Sequence, residues 1–292
     1  MAPRIPLISG LSDIADGYEA FVIDLWGVIH DGVTLYPGVV EALQGLAATG
    51  KPYAMLTNAP RRAAALERAV LRMGMPAGLC RNIMSSGEAT HLALRDGGDP
   101  WFAGIGRRCL HIGPARDESL FDGLPLERVD AVEAADLIVN TGPWEDDETV
   151  ADYEDVLAAG AKAGLPMVCA NPDLEVIRGG RRIICAGALA VRFEALGGRV
   201  RYFGKPHRPI YESCFRLLGV SDPKRALAIG DSLRTDIAGA ACCGMDSVLV
   251  LGGLHGDELH DAGGRDAVEA RIAVRCAEAG QAPVAAVERF TW

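Results

Sequence analysis

The chain has 292 residues, of which 49% are hydrophobic and 23% charged, the balance of a globular protein with room for two cores, and this excludes disordered and collagen-like classes. A formal net charge of -10 and a pI near 5.1 argue against nucleic acid or an anionic membrane as the main partner, so any anion must be held by a small local cluster. Eight scattered cysteines, without a CxxC pair or zinc-ligand spacing, suit a reducing compartment and read as small buried hydrophobes.

Met1-Ala2-Pro3-Arg4 opens no long apolar leader, and no stretch has the length to span a bilayer, so a soluble cytoplasmic protein is expected. Short apolar runs then alternate with alanine-rich helical stretches, the pattern of βα units around a parallel sheet. The first run, Phe21-Val22-Ile23, ends on Asp24. A carboxylate at the C-terminal end of a buried strand lies where open α/β sheets bind ligands. A turn with Asp31-Gly32 and Pro37-Gly38 follows, and the spacing predicts a helix over 39–49 closed by Gly50. A strand over 52–56 delivers Thr57-Asn58-Ala59, and Pro60 marks a helix start with Arg61 and Arg62 in its first turn.

The stretch 84–198 alternates again, with strands expected over 137–140 and 167–170, and is long enough to be a domain inserted into the first. Downstream, a run over 200–203 leads into Gly204-Lys205-Pro206. Another over 226–229 ends on Gly230-Asp231-Ser232, followed by Thr235-Asp236 and a Gly/Ala-rich helix start. A last strand over 247–251 ends at Gly252-Gly253, and the alanine-rich tail near 264–288 carries little specific signal.

Four strand ends therefore carry polar residues: Asp24, Thr57 with Asn58, Lys205, and Asp231 with Asp236. Carboxylates at neighbouring strand ends can hold a hard divalent cation, and Mg²⁺ prefers a few carboxylates plus water and phosphate oxygens. A threonine hydroxyl and a lysine ammonium can bind the remaining phosphate oxygens, while metal and lysine offset the charges of nucleophile and substrate. In that arrangement Asp24 is the nucleophile, forming an aspartyl-phosphate that water cleaves.

The set DLWGV (24–28), TNA (57–59), GKP (204–206) and GDSLRTD (230–236) resembles the haloacid dehalogenase superfamily of phosphohydrolases. The insert, with Ala170-Asn171-Pro172-Asp173 and Gly187-Ala188-Leu189, resembles the class IIA cap of its nitrophenylphosphatase and sugar-phosphate phosphatase branch. The resemblance implies an α/β fold with a Rossmann-like parallel-sheet core, 1–83 and 199–292, and an inserted α/β cap, 84–198, over the active site. It implies Mg²⁺ as cofactor, held by the side chains of Asp24 and Asp231 and the backbone carbonyl of Trp26. Thr57, Asn58 and Lys205 would bind phosphate, Ser232 and Asp236 would orient the ligands and water, and Asn171 and Asp173 would face the substrate from the cap. The implied partner is a small phosphorylated metabolite, a phosphosugar among the candidates. Oligomeric state stays open, a homo-oligomer included.

One residue leaves the pattern. These phosphatases carry a second aspartate two residues after the nucleophile, which protonates the leaving oxygen and then activates water; Trp26 stands there, and an indole offers only a weakly acidic donor. Losing a general acid/base costs roughly 10²–10⁴ in rate, or about 3–5 kcal/mol of barrier. The alternative reading is thus a phosphoryl-ligand-binding protein with little turnover; halide hydrolysis fits poorly, having no use for an Mg²⁺-type carboxylate set. His30 and Asp31 are the nearest titratable candidates for a substitute acid, although an ordinary solvated turn is the favoured reading of both. Arg178, Arg181 and Arg182 read as surface charge, and Trp144 and Tyr153 as packing aromatics.

Overall fold

The computed structural model describes residues 5–178, 181–252 and 264–292; Met1-Ala2-Pro3-Arg4, Gly253 and the side chain of Arg178 lie outside what is described. Its strands, in chain order, are β1 (Leu7–Ile8), β2 (Ala20–Asp24), β3 (Tyr53–Thr57), β4 (Ile83–Ser85), β5 (Arg108–Ile112), β6 (Glu127–Val129) and β7 (Leu137–Asn140). They continue with β8 (Pro166–Cys169), β9 (Glu175–Arg178), β10 (Arg181–Ile184), β11 (Arg199–Tyr202), β12 (Ala226–Gly230), β13 (Asp246–Val250) and β14 (Ala285–Val287). Two compact units form: one is the chain up to Thr57, Leu66–Met84 and the chain from Lys205 onward, the other Asn58–Ala65 and Ser85–Gly204.

In the first unit a seven-stranded sheet runs β1-β14-β13-β12-β2-β3-β4. The pairings from β1 through β14, β13, β12 and β2 to β3 are parallel. Strands β2, β3 and β12 are buried at every position, which is why they read as unbroken apolar runs rather than alternating ones. From β2 the chain proceeds outward to β3 and β4, and from β12 outward to β13 and β14, so the order reverses between β2 and β12. That reversal is the switch point at which open parallel sheets bind ligands beyond their carboxyl ends. Ile229 pairs with Ile23 and Asp24 with Leu56, so the residues ending β12, β2 and β3 emerge together at one edge.

The second unit has its own five-stranded sheet, ordered β11-β8-β7-β5-β6 with parallel pairings, and an antiparallel hairpin of β9 and β10. Tyr153, Leu157, Met167, Leu189 and Phe193 fill its core. The expected boundary between 198 and 199 is corrected here: Arg199–Tyr202 pairs with Pro166–Cys169, so this strand completes the inserted sheet. Asn58–Ala65 likewise groups with the insert. The helix expected at Pro60 begins at Ala63. Its start is fixed from afar, because the Glu88 carboxylate accepts from the Ala63 N–H (3.0 Å) and from the Arg62 guanidinium (2.7 Å), while Ser85 Oγ donates to the Arg61 carbonyl (2.5 Å). The tail holds a helix, Arg265–Glu278, and β14. All cysteines are free and only Cys242 is exposed. Among the described residues no helix is long and apolar enough to cross a membrane.

Candidate active site

Four of the expected residues meet at the switch point of the first unit. Asp24 ends β2, Asp231 follows β12, Asp236 lies in the next turn and Lys205 follows the insert. Lys205 Nζ donates to Asp24 Oδ1 (2.5 Å) and to Asp236 Oδ1 (2.7 Å). Carboxylate oxygens of Asp24, Asp231 and Asp236 lie within 4.8 Å of one another. All four residues are buried, none more than 4% exposed. Burial, then Asp236 and Asp231, push the Asp24 carboxyl well above its ordinary range, and the pull of Lys205 is too small to cancel them. For Lys205, burial would lower the ammonium, but Asp236 and Asp24 outweigh it and hold it above its ordinary value. Among the described residues, three buried carboxylates meet here with the Lys205 ammonium between two of them. Such an oxygen-rich set fits a hard divalent cation.

The local sequence explains the placement. After β12 the chain makes a turn one residue wider than an α-helical one, in which the Ser232 carbonyl accepts from both Asp236 N (3.0 Å) and Ile237 N (3.1 Å). Ser232 Oγ accepts from Thr235 N (3.3 Å), and Asp236 Oδ2 accepts from Ser232 N (3.2 Å) and Thr235 Oγ1 (3.4 Å). Asp236 therefore has donors on both oxygens, which suits the orienting part assigned to it with Ser232. A residue that sequence reasoning missed supports this turn: the buried Tyr211 hydroxyl donates to the carbonyls of Asp236 (3.3 Å) and Thr235 (3.4 Å). Nothing in its helix, Arg208–Leu218, marks it in the sequence as different from any core aromatic.

Gly27 was also missed. It has φ +87°, and a Cβ there would stand 2.0 Å from Asp231 Oδ2, so both conformation and space require glycine. The backbone around Trp26 and Gly27 thus runs beside the Asp231 carboxylate, the setting that the implied role of the Trp26 carbonyl needs.

Trp26 itself is 43% exposed. Its ring meets His30 edge to face, with centroids 5.7 Å apart. It also lies on Gly32, where φ is +92° and a Cβ would come within 2.4 Å of the indole. The solvated turn expected at 30–31 holds for Asp31, whose exposed carboxylate accepts from Val33 N (2.8 Å) and Thr34 N (2.7 Å). His30 departs from it: the ring is buried, Nδ1 accepts from Gly32 N (3.0 Å), and burial lowers its pKa against the opposing effect of Asp31. A neutral His30 thus carries its proton on Nε2.

Thr57 is buried at the end of β3. In the second unit Asn58 Nδ2 donates to Asp173 Oδ1 (2.9 Å), Ser86 Oγ donates to Asn58 Oδ1 (3.3 Å), and Asp173 N donates to Asn171 Oδ1 (3.1 Å). The structure therefore joins Asn58, Asn171 and Asp173 in one network and adds Ser86. Arg182 pairs with Glu175 on the exposed hairpin at 2.8 Å, and Arg181 is exposed too. Trp144 and Tyr153 stack on each other at 4.7 Å, the packing role expected of them.

A parallel α/β core with a buried carboxylate and lysine cluster at its switch point, and a second α/β unit inserted in the chain, defines an α/β enzyme core carrying an insert. Residues 21–127 match the family described as haloacid dehalogenase-like hydrolase, and 202–273 match a second HAD-like hydrolase description. The crystal structure of a haloacid dehalogenase-like hydrolase from Brucella suis 1330 is 36% identical, covers 98% of this chain and 100% of its own, and superposes with a TM-score of 0.80. Human glycerol-3-phosphate phosphatase is 28% identical, covering 81% of this chain and 79% of its own, and bovine chronophin is 29% identical, covering 84% and 85%. The chain belongs to the haloacid dehalogenase-like hydrolase family. Solved structures named as a p-nitrophenyl phosphatase from Archaeoglobus fulgidus and a possible sugar phosphatase from Cytophaga hutchinsonii share the fold, each with a TM-score of 0.74.

Proposed function

We propose that the chain is an Mg²⁺-dependent phosphatase that hydrolyses small phosphate monoesters through an aspartyl-phosphate on Asp24. The observation that carries this reading is the buried Lys205 ammonium, 2.5 Å from Asp24 and 2.7 Å from Asp236, with Asp231 in the same cluster. Relatives named as phosphatases support it, one of them by its name acting on glycerol 3-phosphate. Asp24, Asp231 and the Trp26 carbonyl would hold the cation, whose chemistry is to offset the charges of nucleophile and phosphate. Lys205 shares that task by binding a phosphate oxygen and by keeping the Asp24 carboxylate ionised when the site is filled. Thr57 would donate to a further phosphate oxygen, and in the second unit Ser86 and Asp173 fix the amide of Asn58, the other residue proposed to bind phosphate. Asp236 would hold Lys205 in place.

The test is hydrolysis of nitrophenyl phosphate and a panel of glycerol and sugar phosphates, with Mg²⁺ and with a chelator. Turnover should require the metal, vanish in Asp24→Asn, and pass through an acyl phosphate that borohydride reduces, converting Asp24 to homoserine with release of phosphate. Metal-independent turnover, or full activity of Asp24→Asn, overturns the reading.

A further inference from the structure

We infer that Tyr211 is a positioning residue for phosphate binding: its hydroxyl fixes the wide turn that carries Asp236, and Asp236 in turn keeps the Lys205 ammonium aimed at the phosphoryl group. The inference rests on the phosphatase reading and adds a residue that acts on the site through two others. Lys205 and Tyr211 belong to one stretch of chain, the lysine just ahead of the helix Arg208–Leu218 and the tyrosine within it. Both bond to Asp236. Lys205 Nζ donates to its Oδ1 (2.7 Å), while the Tyr211 hydroxyl donates to its carbonyl (3.3 Å) and to that of Thr235 (3.4 Å). One stretch of chain thus grips the side chain and the main chain of the same residue.

The turn needs such a grip. Ile237 N reaches back to the Ser232 carbonyl, one residue further than in an α-helix, and a turn of that width occurs singly rather than in runs. Relaxation to ordinary helical spacing would swing Asp236 about the axis and draw its carboxylate from Lys205. Glycines reserve the room on both sides of this arrangement. A Cβ at Gly239 would stand 2.3 Å from the Tyr211 hydroxyl, and one at Gly230 would stand 2.2 Å from Cβ and Cγ of Asp236. Tyr211 is 1% exposed, and burial first, then the Asp236 carboxylate, push its pKa well above the ordinary value, so the hydroxyl stays a donor at neutral pH. A phenylalanine would fill the core equally well; only the hydroxyl bonds the turn. Because the ammonium is shared between Asp24 (2.5 Å) and Asp236 (2.7 Å), any shift of Asp236 passes to Lys205. Its attraction for a phosphate oxygen falls with distance, most steeply in a buried site.

The experiment is calorimetric titration with orthophosphate at saturating Mg²⁺, which needs no turnover, on the wild type, Tyr211→Phe, Asp236→Ala and the double variant. Tyr211→Phe should bind phosphate roughly threefold to tenfold more weakly, the worth of one hydrogen bond between uncharged groups. In the Asp236→Ala background the same change should have little effect, because the route to Lys205 is already cut. Gly239→Ala, which keeps the hydroxyl but drives it off the two carbonyls, should lose affinity as Tyr211→Phe does. Ile210→Val, a truncation of the buried neighbour, should lower Tm and leave phosphate affinity unchanged. Equal affinity in the wild type and Tyr211→Phe, an equal loss with and without the Asp236 side chain, or the same loss in Ile210→Val overturns the proposal while leaving the phosphatase reading intact. Should Tyr211→Phe not fold, Gly239→Ala decides, and unchanged affinity there overturns it. A wild type that binds phosphate without Asp24-dependent turnover overturns the phosphatase reading alone, and one that binds none overturns both.

Discussion

Asp24→Asn should abolish turnover and at the same time stabilise the metal-free protein at neutral pH. Charging Asp24 in the folded state meets two carboxylates within 4.8 Å and one ammonium at 2.5 Å. At an effective dielectric constant of about 20, each repulsion is worth about 3.5 kcal/mol and the attraction about 6.6 kcal/mol. These nearly cancel. The desolvation of a fully buried carboxylate, several kcal/mol, is then left uncompensated. The carboxyl accordingly sits well above its ordinary range, for burial first and Asp236 next. A group raised in the folded state contributes stability in full below its unfolded pKa of about 3.9 and loses it as pH rises through the folded value. Asparagine has no such loss, keeps an oxygen for Lys205, and leaves Lys205 paired with Asp236. The expected gain is about 2 kcal/mol at pH 7, a rise in Tm of roughly 4–8 °C, narrowing toward pH 4. Thermal unfolding of both proteins with a chelator, across that pH range, measures it. Added Mg²⁺ should raise the wild-type Tm more than that of Asp24→Asn. A variant less stable than the wild type at pH 7, by a margin that grows with pH, would refute the reasoning.

Asp231→Ala should weaken Mg²⁺ binding at least tenfold, since it removes one of few carboxylate ligands, and calorimetric titration checks this. Gly27→Ala should cost several kcal/mol, from a strained positive φ and a Cβ 2.0 Å from the Asp231 carboxylate; a denaturant midpoint like that of the wild type would contradict it. Trp26→Asp should restore a general acid and raise alkyl phosphate hydrolysis by roughly 10²–10⁴, far more than aryl phosphate hydrolysis. Because Trp26 is 43% exposed, that change leaves no core cavity and should move Tm little.

Asp24, Asp231 and Lys205 were legible in the sequence because each ends or follows an apolar run, and a parallel sheet gathers such ends at one edge. What the sequence hid was long-range. Strand Arg199–Tyr202 looked like the return to the core, and only its pairing with Pro166–Cys169 assigns it to the inserted sheet. The start of the helix at Ala63 depends on Glu88, a partner that no local capping rule supplies. His30 sits in a segment with turn chemistry, yet its ring is buried against Trp26, whose indole lies on Gly32 where any side chain would displace it. Tyr211 gives no sign of its bonds to the Asp236 turn, since a core tyrosine and a supporting one share the same helical spacing.

The close approach at Gly27 ties two distant positions into one heritable unit. A mutation that adds a side chain at 27 collides with Asp231, and loss of the Asp231 side chain removes the collision but not the positive φ that also favours glycine. Lineages that keep the carboxylate at 231 should hold glycine at 27 on both counts. Where 231 has changed, drift at 27 should be confined to residues such as asparagine that tolerate a left-handed backbone, so that a single codon records the loss of that carboxylate.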